Sequence, residues 1–328
     1  MGRVLRWLFG VLIFLAVGSV GVWGYTNYIS LGPLKSTVSV VIPGGASINN
    51  IAKLLARIQI ISQPIVFIIA ARTVASDKAL RAGEFNFPAA VTPREVLDIL
   101  QNGETVVRRL TVAEGLSTSE ILERLSKTEG LSGAITSRPA EGEILPETYH
   151  FSFGDSRDDI ILRMRQAMKD ALLELWPRRA ADLPINTIEE ALILASIVEK
   201  ETGRADERAR VAGVFVNRLH KIMKLQSDPT VIYGLTRGIA PLGRPLSGKD
   251  LAQENPYNTY VVRALPPGPI SNPGRAAIEA VLNPAATGEL YFVADGKGGH
   301  VFSRTLAEHN RNVSRWRKLM RQRKSGDQ

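Results

Sequence analysis

The chain contains no cysteine in 328 residues, which excludes a disulfide framework and a thiol nucleophile alike. Histidine is scarce too, with four residues. None of them falls in the polar loops at 225–234, 255–260 and 265–274, so those loops lack the usual ligands of a transition-metal site. The glycine-rich turn Gly296-Lys-Gly-Gly299 has neither the spacing of a phosphate loop nor a helix after it, which argues against nucleotide binding. Acidic residues are outnumbered 32 to 41 by Lys and Arg, for a net charge of +9. Much of that excess sits in 311–328, where seven basic residues face one acid, Asp327. No nucleic-acid motif accompanies this basic end, which reads as a solvated helix terminus or as a contact for an anionic surface.

Charge is also missing from 7–34. Within that stretch, Trp7 to Tyr25 is an apolar run of 19 residues, about 28 Å long as a helix and close to the hydrocarbon thickness of a bilayer. Arg3 and Arg6 precede it, Trp7, Trp23, Tyr25 and Tyr28 sit near its ends, and Lys35 is the one basic residue close behind. This pattern predicts a single membrane span with a cytoplasmic N-terminus. A cleaved signal peptide with a small-residue site at Ala16-Val-Gly18 is the competing reading. The run is long for a signal core and aromatics flank it, which favours an uncleaved anchor.

Two weakly similar segments follow at an offset of 70 residues, pairing Gly45 with Gly115, Ser47 with Ser117, Ile51 with Ile121 and Leu55 with Leu125. Each reads as a short strand, a glycine turn, a serine N-cap and an amphipathic helix. A third unit repeats the cap and helix, with Thr92 as cap, Pro93 in the first turn and Glu95 as the capping-box acid. Residues 160–175 form the first helix of the next region, stopped by Pro177. Near the C-terminus, 289–295 and 300–302 read as the two strands of a hairpin.

The segment Leu192-Ile-Leu-Ala-Ser-Ile-Val-Glu-Lys-Glu-Thr202 carries the sharpest chemical signal. At about 100° per residue, Ile193, Leu194, Ile197 and Val198 form one stripe, and Glu201 falls near its centre while Glu199 points elsewhere. A carboxyl held against apolar side chains is pushed toward its neutral form, as a general acid near neutral pH requires. Periodicity alone also allows Glu201 to end the helix and reach water. A second amphipathic helix over 206–219 comes next, and then loops rich in Asn, Gln, Asp, Ser and Tyr between turn-forming Pro and Gly. Carbohydrate sites have this composition, with amides and hydroxyls for sugar hydroxyls and tyrosine faces for the ring.

The chain resembles the endolytic murein transglycosylase (YceG-like) family in Ala195-Ser-Ile-Val-Glu-Lys-Glu-Thr202, Val214-Phe-Val-Asn-Arg-Leu219, Leu225-Gln-Ser-Asp-Pro-Thr-Val-Ile-Tyr-Gly234, Tyr257-Asn-Thr-Tyr260, Leu265-Pro-Pro-Gly268 and Leu290-Tyr-Phe-Val-Ala-Asp-Gly-Lys-Gly-Gly-His300. The resemblance implies a lyase that cleaves the MurNAc-β-1,4-GlcNAc bond inside peptidoglycan strands, leaves 1,6-anhydro-MurNAc ends and terminates nascent strands. It implies Glu201 as the catalytic residue, no cofactor and no metal. Its partners would be glycan strands and peptidoglycan synthases, not nucleic acid. Asn217, Gln226, Ser227, Asp228, Tyr233, Tyr257, Asn258 and Tyr260 are the candidate sugar contacts; each could equally hold a loop in place. Asp228 is the best second carboxylate, although as Asp-Pro it reads more readily as the cap of the next helix. His300 could touch substrate or serve the hairpin, and 265–270 reads as a rigid groove wall.

The expected fold class is α+β, with an N-terminal transmembrane helix, a small LysM-like α/β module and a mixed α+β catalytic domain. The expected boundaries are 1–6 cytoplasmic, 7–28 anchor, 29–39 linker, 40–138 LysM-like module, 139–316 catalytic domain and 317–328 basic tail. The module either binds glycan or acts as a spacer. The location implied is the inner membrane, with the catalytic domain periplasmic. A hydrolytic muramidase and a non-catalytic glycan-binding scaffold remain as alternatives.

Overall fold

The computed structural model describes residues 2–74 and 77–326; Met1, Ala75, Ser76 and the last two positions of the basic tail, Asp327 and Gln328, lie outside them. The fold is mixed α+β, as expected, with three two-stranded sheets among the described residues. The chain divides into two units, and the boundary crosses two strands, between Arg108 and Arg109 and between Tyr149 and His150.

The first unit begins with α1 (Gly2–Ile29), in which 4–29 is long and apolar enough to cross a membrane and is exposed over most of its length. Strand β1 (Val38–Ile42), α2 (Ile48–Arg57), α3 (Pro64–Thr73), β2 (Gly83–Phe87) and α4 (Pro93–Asn102) follow, and β3 (Val107–Thr111) leads out. β1 and β2 pair antiparallel, with Val38 opposite Phe87 and Ile42 opposite Gly83. The predicted caps form: Ser47 accepts from the Asn50 amide, and Thr92 and Glu95 make a reciprocal capping box that satisfies two otherwise unpaired donors. Phe67, Phe85 and Phe87 are fully buried with Ile42, Leu55 and Leu100. Each such aromatic contributes about 1.5–3 kcal/mol of burial.

The second unit holds α5 (Thr118–Lys127), the start of β4 (Thr148–Ser152), α6 (Arg157–Leu175), α7 (Ile188–Glu201), α8 (Ala205–His220), α9 (Asp228–Thr236), α10 (Gly248–Ala252), α11 (Arg275–Leu282), the hairpin β5 (Tyr291–Ala294) and β6 (His300–Ser303), and α12 (Leu306–Gly326). Ser117 caps α5 in a second capping box with Glu120. The two similar sequence segments thus build equivalent caps in different units. A 3₁₀ turn at Trp176–Arg178 ends α6 where Pro177 removes a helical donor.

α7 differs from the amphipathic helix that its sequence suggests. Ala191 and Ile193 to Val198 are all buried, so the helix is enclosed on most sides rather than along one stripe. Ser196 is tolerated there because its hydroxyl donates to the Ile193 carbonyl at 2.7 Å and accepts from the Ile270 amide at 3.0 Å. The helix therefore forms the centre of the larger core, which includes Val211, Phe215, Ile278 and Val281. It ends at Glu201 because Thr202 turns extended.

Candidate active site

Glu201, the last residue of α7, meets a turn that the chain holds in an unfavourable shape. Gln226 has a φ of 53°, a left-handed conformation uncommon for a residue with a side chain. Three hydrogen bonds hold it: the Gln226 amide to the Thr259 carbonyl at 3.1 Å, the Ser227 amide to Thr259 Oγ1 at 3.0 Å, and Thr230 Oγ1 to the Ser227 carbonyl at 2.7 Å. The turn aims Ser227 Oγ at Glu201, donating to Oε1 at 2.5 Å. Backbone strain kept by surrounding bonds is a common feature of functional sites.

Glu201 opens onto a cavity of about 570 Å³. Burial is the main cause that raises its pKa; the Ser227 hydrogen bond opposes the rise, the charge of Asp228 adds to it, and His300 and Arg218 pull the other way. Asp228 and Tyr260 line the same cavity, and the Tyr260 hydroxyl donates to Asp228 Oδ1 at 2.6 Å. Burial, followed by that bond to Asp228, pushes the phenol upward, so it stays a donor. Asp228 does not cap α9. Ser227 occupies the cap position without a capping bond and Asp228 is the first helical residue. The tyrosine draws its carboxylate into the cleft instead, which corrects the reading of Asp-Pro as a cap.

Glu199 is more buried than its position off the stripe suggested, with its side chain 4% exposed. Burial raises its pKa as well, outweighing Arg208, whose guanidinium lies 3.8 Å away. Its Oε2 accepts from the Gly274 amide at 2.9 Å at the start of α11, and it does not line the cavity. Both carboxyls are therefore desolvated, and of the two it is Glu201 that lines the cavity.

The remaining candidates divide by location. Gln226 lines the cavity. Asn217 spends its amide on the Thr287 and Glu289 carbonyls at 2.8 and 3.0 Å, which pins α8 to the approach of β5. Asn258 is 1% exposed; its amide donates to the Asp250, Leu251 and Gln253 carbonyls and its oxygen accepts from the Tyr260 amide. Tyr233 lines a different cavity, of about 250 Å³. Its ring lies 5.0 Å from that of Tyr257, which in turn carries the Arg237 guanidinium 4.7 Å above it. His300 Nδ1 is hydrogen-bonded to the Glu207 carboxylate, 2.8 Å away, and its ring lies edge-on to Phe292.

The wall that α12 builds is not apparent from the local sequence. α12 contributes His309, Asn310, Val313, Trp316 and Arg317, one stripe at i, i+1, i+4, i+7 and i+8. His309 stacks on Tyr291 at 5.2 Å, its Nδ1 is buried with no protein partner, and burial followed by Arg218 lowers its pKa. Arg218 is buried, with Nε and Nη1 donating at 2.6 Å to the Leu290 and Leu225 carbonyls, and it forms part of the cavity floor. The helical spacing of this stripe was a readable signal; its distance in sequence from Glu201 concealed the partnership.

The arrangement combines a desolvated acid, a nearby carboxylate held by a phenol, and a wall offering an imidazole, an amide, an indole and a guanidinium. Comparison with known proteins agrees in kind. An endolytic murein transglycosylase of Bacillus subtilis is 29% identical over 308 residues, covering 84% of each chain. One of Streptococcus pneumoniae (strain R6) is 28% identical, covering 95% of this chain, which spans 65% of that protein's length. The crystal structure of a YceG-like protein from Listeria monocytogenes matches with a TM-score of 0.52 and 30% identity, over 84% of this chain and 98% of that one. The model of the YceG-like family matches residues 40–315, and the chain belongs to that family.

Proposed function

We propose that this chain is a membrane-anchored lytic transglycosylase that cuts MurNAc-β-1,4-GlcNAc bonds within peptidoglycan strands. The observation that carries the reading is the Glu201 carboxyl, desolvated at the head of a cleft lined with sugar-binding chemistry. In the protonated form that burial favours, Glu201 gives its proton to the glycosidic oxygen as the C1–O bond breaks. Positive charge then develops at C1, and the Asp228 carboxylate or the substrate's own N-acetyl group stabilises it. The C6 hydroxyl of the same ring closes on C1, and Glu201, now a base, takes its proton. The acid is regenerated, no water is consumed and a 1,6-anhydro-MurNAc end remains. Much of the rate comes from proximity, because the nucleophile belongs to the reacting sugar.

Around this centre Gln226, Ser227, Asp228 and Tyr260 contact or orient the sugar at the cleft. Asn217, Tyr233, Tyr257 and Asn258 support the loops that shape it. The length and apolarity of α1 support a single-pass anchor in the inner membrane with a cytoplasmic N-terminus and a periplasmic enzyme. The small β1–α2–α3–β2 arrangement supports a LysM-like module acting as a spacer with glycan contact. An endolytic cut made beside the membrane would terminate strands that synthases are still extending.

A second reading has one observation in its favour. Asp228 brings a second carboxylate into the cleft, and paired carboxyls are the equipment of hydrolytic glycosidases. In that case Asp228 would activate water and the product would be a reducing MurNAc.

Substitution tests the shared element. Glu201→Gln keeps the shape and the Ser227 contact but has no proton to give, and should abolish cleavage while glycan binding persists. Glu199→Gln, outside the cleft, should leave cleavage largely intact. Retained cleavage in Glu201→Gln would overturn the assignment, and loss of cleavage in Glu199→Gln alone would move the acid to Glu199.

A further inference from the structure

α3 reads Pro64-Ile-Val-Phe-Ile-Ile-Ala-Ala-Arg-Thr73, apolar nearly all round. Helices of that kind are buried on every side in water or lie against lipid. Here one side is satisfied, with Val66, Phe67, Ala70 and Ala71 packed into the core of the first unit. The other is not. Ile65 and Ile69, one turn apart, are 51% and 54% exposed, and Val74 at the helix end is 69% exposed.

This bare face continues an apolar surface that already has a partner. A cavity of about 310 Å³ runs between α1 and α3, lined on one side by Val20, Trp23 and Tyr25 and on the other by Val66, Ile69 and Thr73. Val20 lies about 12 Å along α1 from Tyr28, at 1.5 Å per residue. α3 therefore stands beside the last turns of the span, where aromatic side chains mark the membrane boundary. Tyr28 also packs against the core that holds α3, which fixes the two helices together.

We propose that the outer face of α3 is seated in the lipid bilayer, its isoleucines at the boundary of headgroups and acyl chains. The proposal rests on the reading of α1 as a membrane span. Lipid, rather than another protein, is the occupant because the face is continuous with helix α1, whose 4–29 stretch is long and apolar enough to cross a membrane and is largely exposed. The seat would set the height and tilt of the first unit on the membrane, which an isolated anchor helix leaves free.

The absence of cysteine makes the test direct. Single nitroxide labels would be placed by Ile65→Cys, Ile69→Cys, Leu12→Cys and Lys53→Cys in the full chain, reconstituted in vesicles of mixed zwitterionic and anionic phospholipid. Relaxation by oxygen, which concentrates in lipid, is compared with relaxation by a water-soluble nickel chelate. Leu12, within the span, gives the lipid reference; Lys53, exposed on α2, gives the aqueous one. The labels at 65 and 69 should shift to oxygen-dominated relaxation like that at 12. Nickel-dominated relaxation like that at 53 would overturn the proposal, and screening from both agents would overturn it in favour of a protein partner. A nickel-dominated label at 12 would remove the anchor reading itself, and this proposal with it. The catalytic reading is not touched by any of these results.

Discussion

Burial raises the pKa of Glu201, so the folded state binds a proton that the unfolded chain gives up more readily. The stability this supplies is fully present below the unfolded-state value of about 4.3 and is lost as pH rises through the raised folded value. Two consequences share one window. Cleavage should fall as pH rises through the raised value of Glu201, because the acid loses its proton. Over the same range Glu201→Gln, which has no charge to bury, should gain thermal stability relative to the unmodified chain. Melting curves of both proteins between about pH 5 and about pH 8 check this: the midpoints should diverge as pH rises. A constant difference would mean that the Glu201 carboxyl is not desolvated. Helical periodicity set Glu201 on the apolar stripe and Glu199 off it, but it did not foretell the burial of Glu199. Both are buried, and what distinguishes them is the turn at Gln226 and Ser227 with the space in front of it, which only the fold assembles.

At the scale of elements, the caps were the most legible features. Ser47, Thr92 and Ser117 each bond the amide three residues on, because a cap is local chemistry between neighbours in sequence. The role of α12 was illegible for the opposite reason. Its seven basic residues read as a solvated end, while its inner stripe joins Glu201 across more than a hundred residues, and no local pattern announces such a contact. Asp228 was misread through the same limit, since Tyr260, which takes its carboxylate from the helix cap, is remote in sequence. If α12 forms a wall for the glycan, Trp316→Ala removes a half-buried indole from that wall. A lost aromatic contact of about 0.5–1.5 kcal/mol predicts a rise in KM of about twofold to about tenfold. Turnover should change far less, because the indole acts on binding and not on the proton transfer. A fall in kcat with unchanged KM would mean that α12 instead completes the catalytic centre.

For the whole molecule, the mixed class and the apolar N-terminal helix were predictable from composition and pattern, while a unit boundary that passes through β3 and β4 was not. The two similar sequence segments fall on either side of it, since strand pairing between 107–111 and 148–152 is set by distant residues. We infer that one acid in this fold cuts glycan without water. Purified enzyme digesting peptidoglycan in heavy-oxygen water tests it most directly, by the mass of the new MurNAc ends. Unlabelled 1,6-anhydro termini, lighter by one water than reducing MurNAc, are expected, because the sugar's own C6 oxygen closes the ring. Reducing ends carrying the heavy oxygen as the main product would contradict it and leave Glu201 and Asp228 as the acid and base of a muramidase.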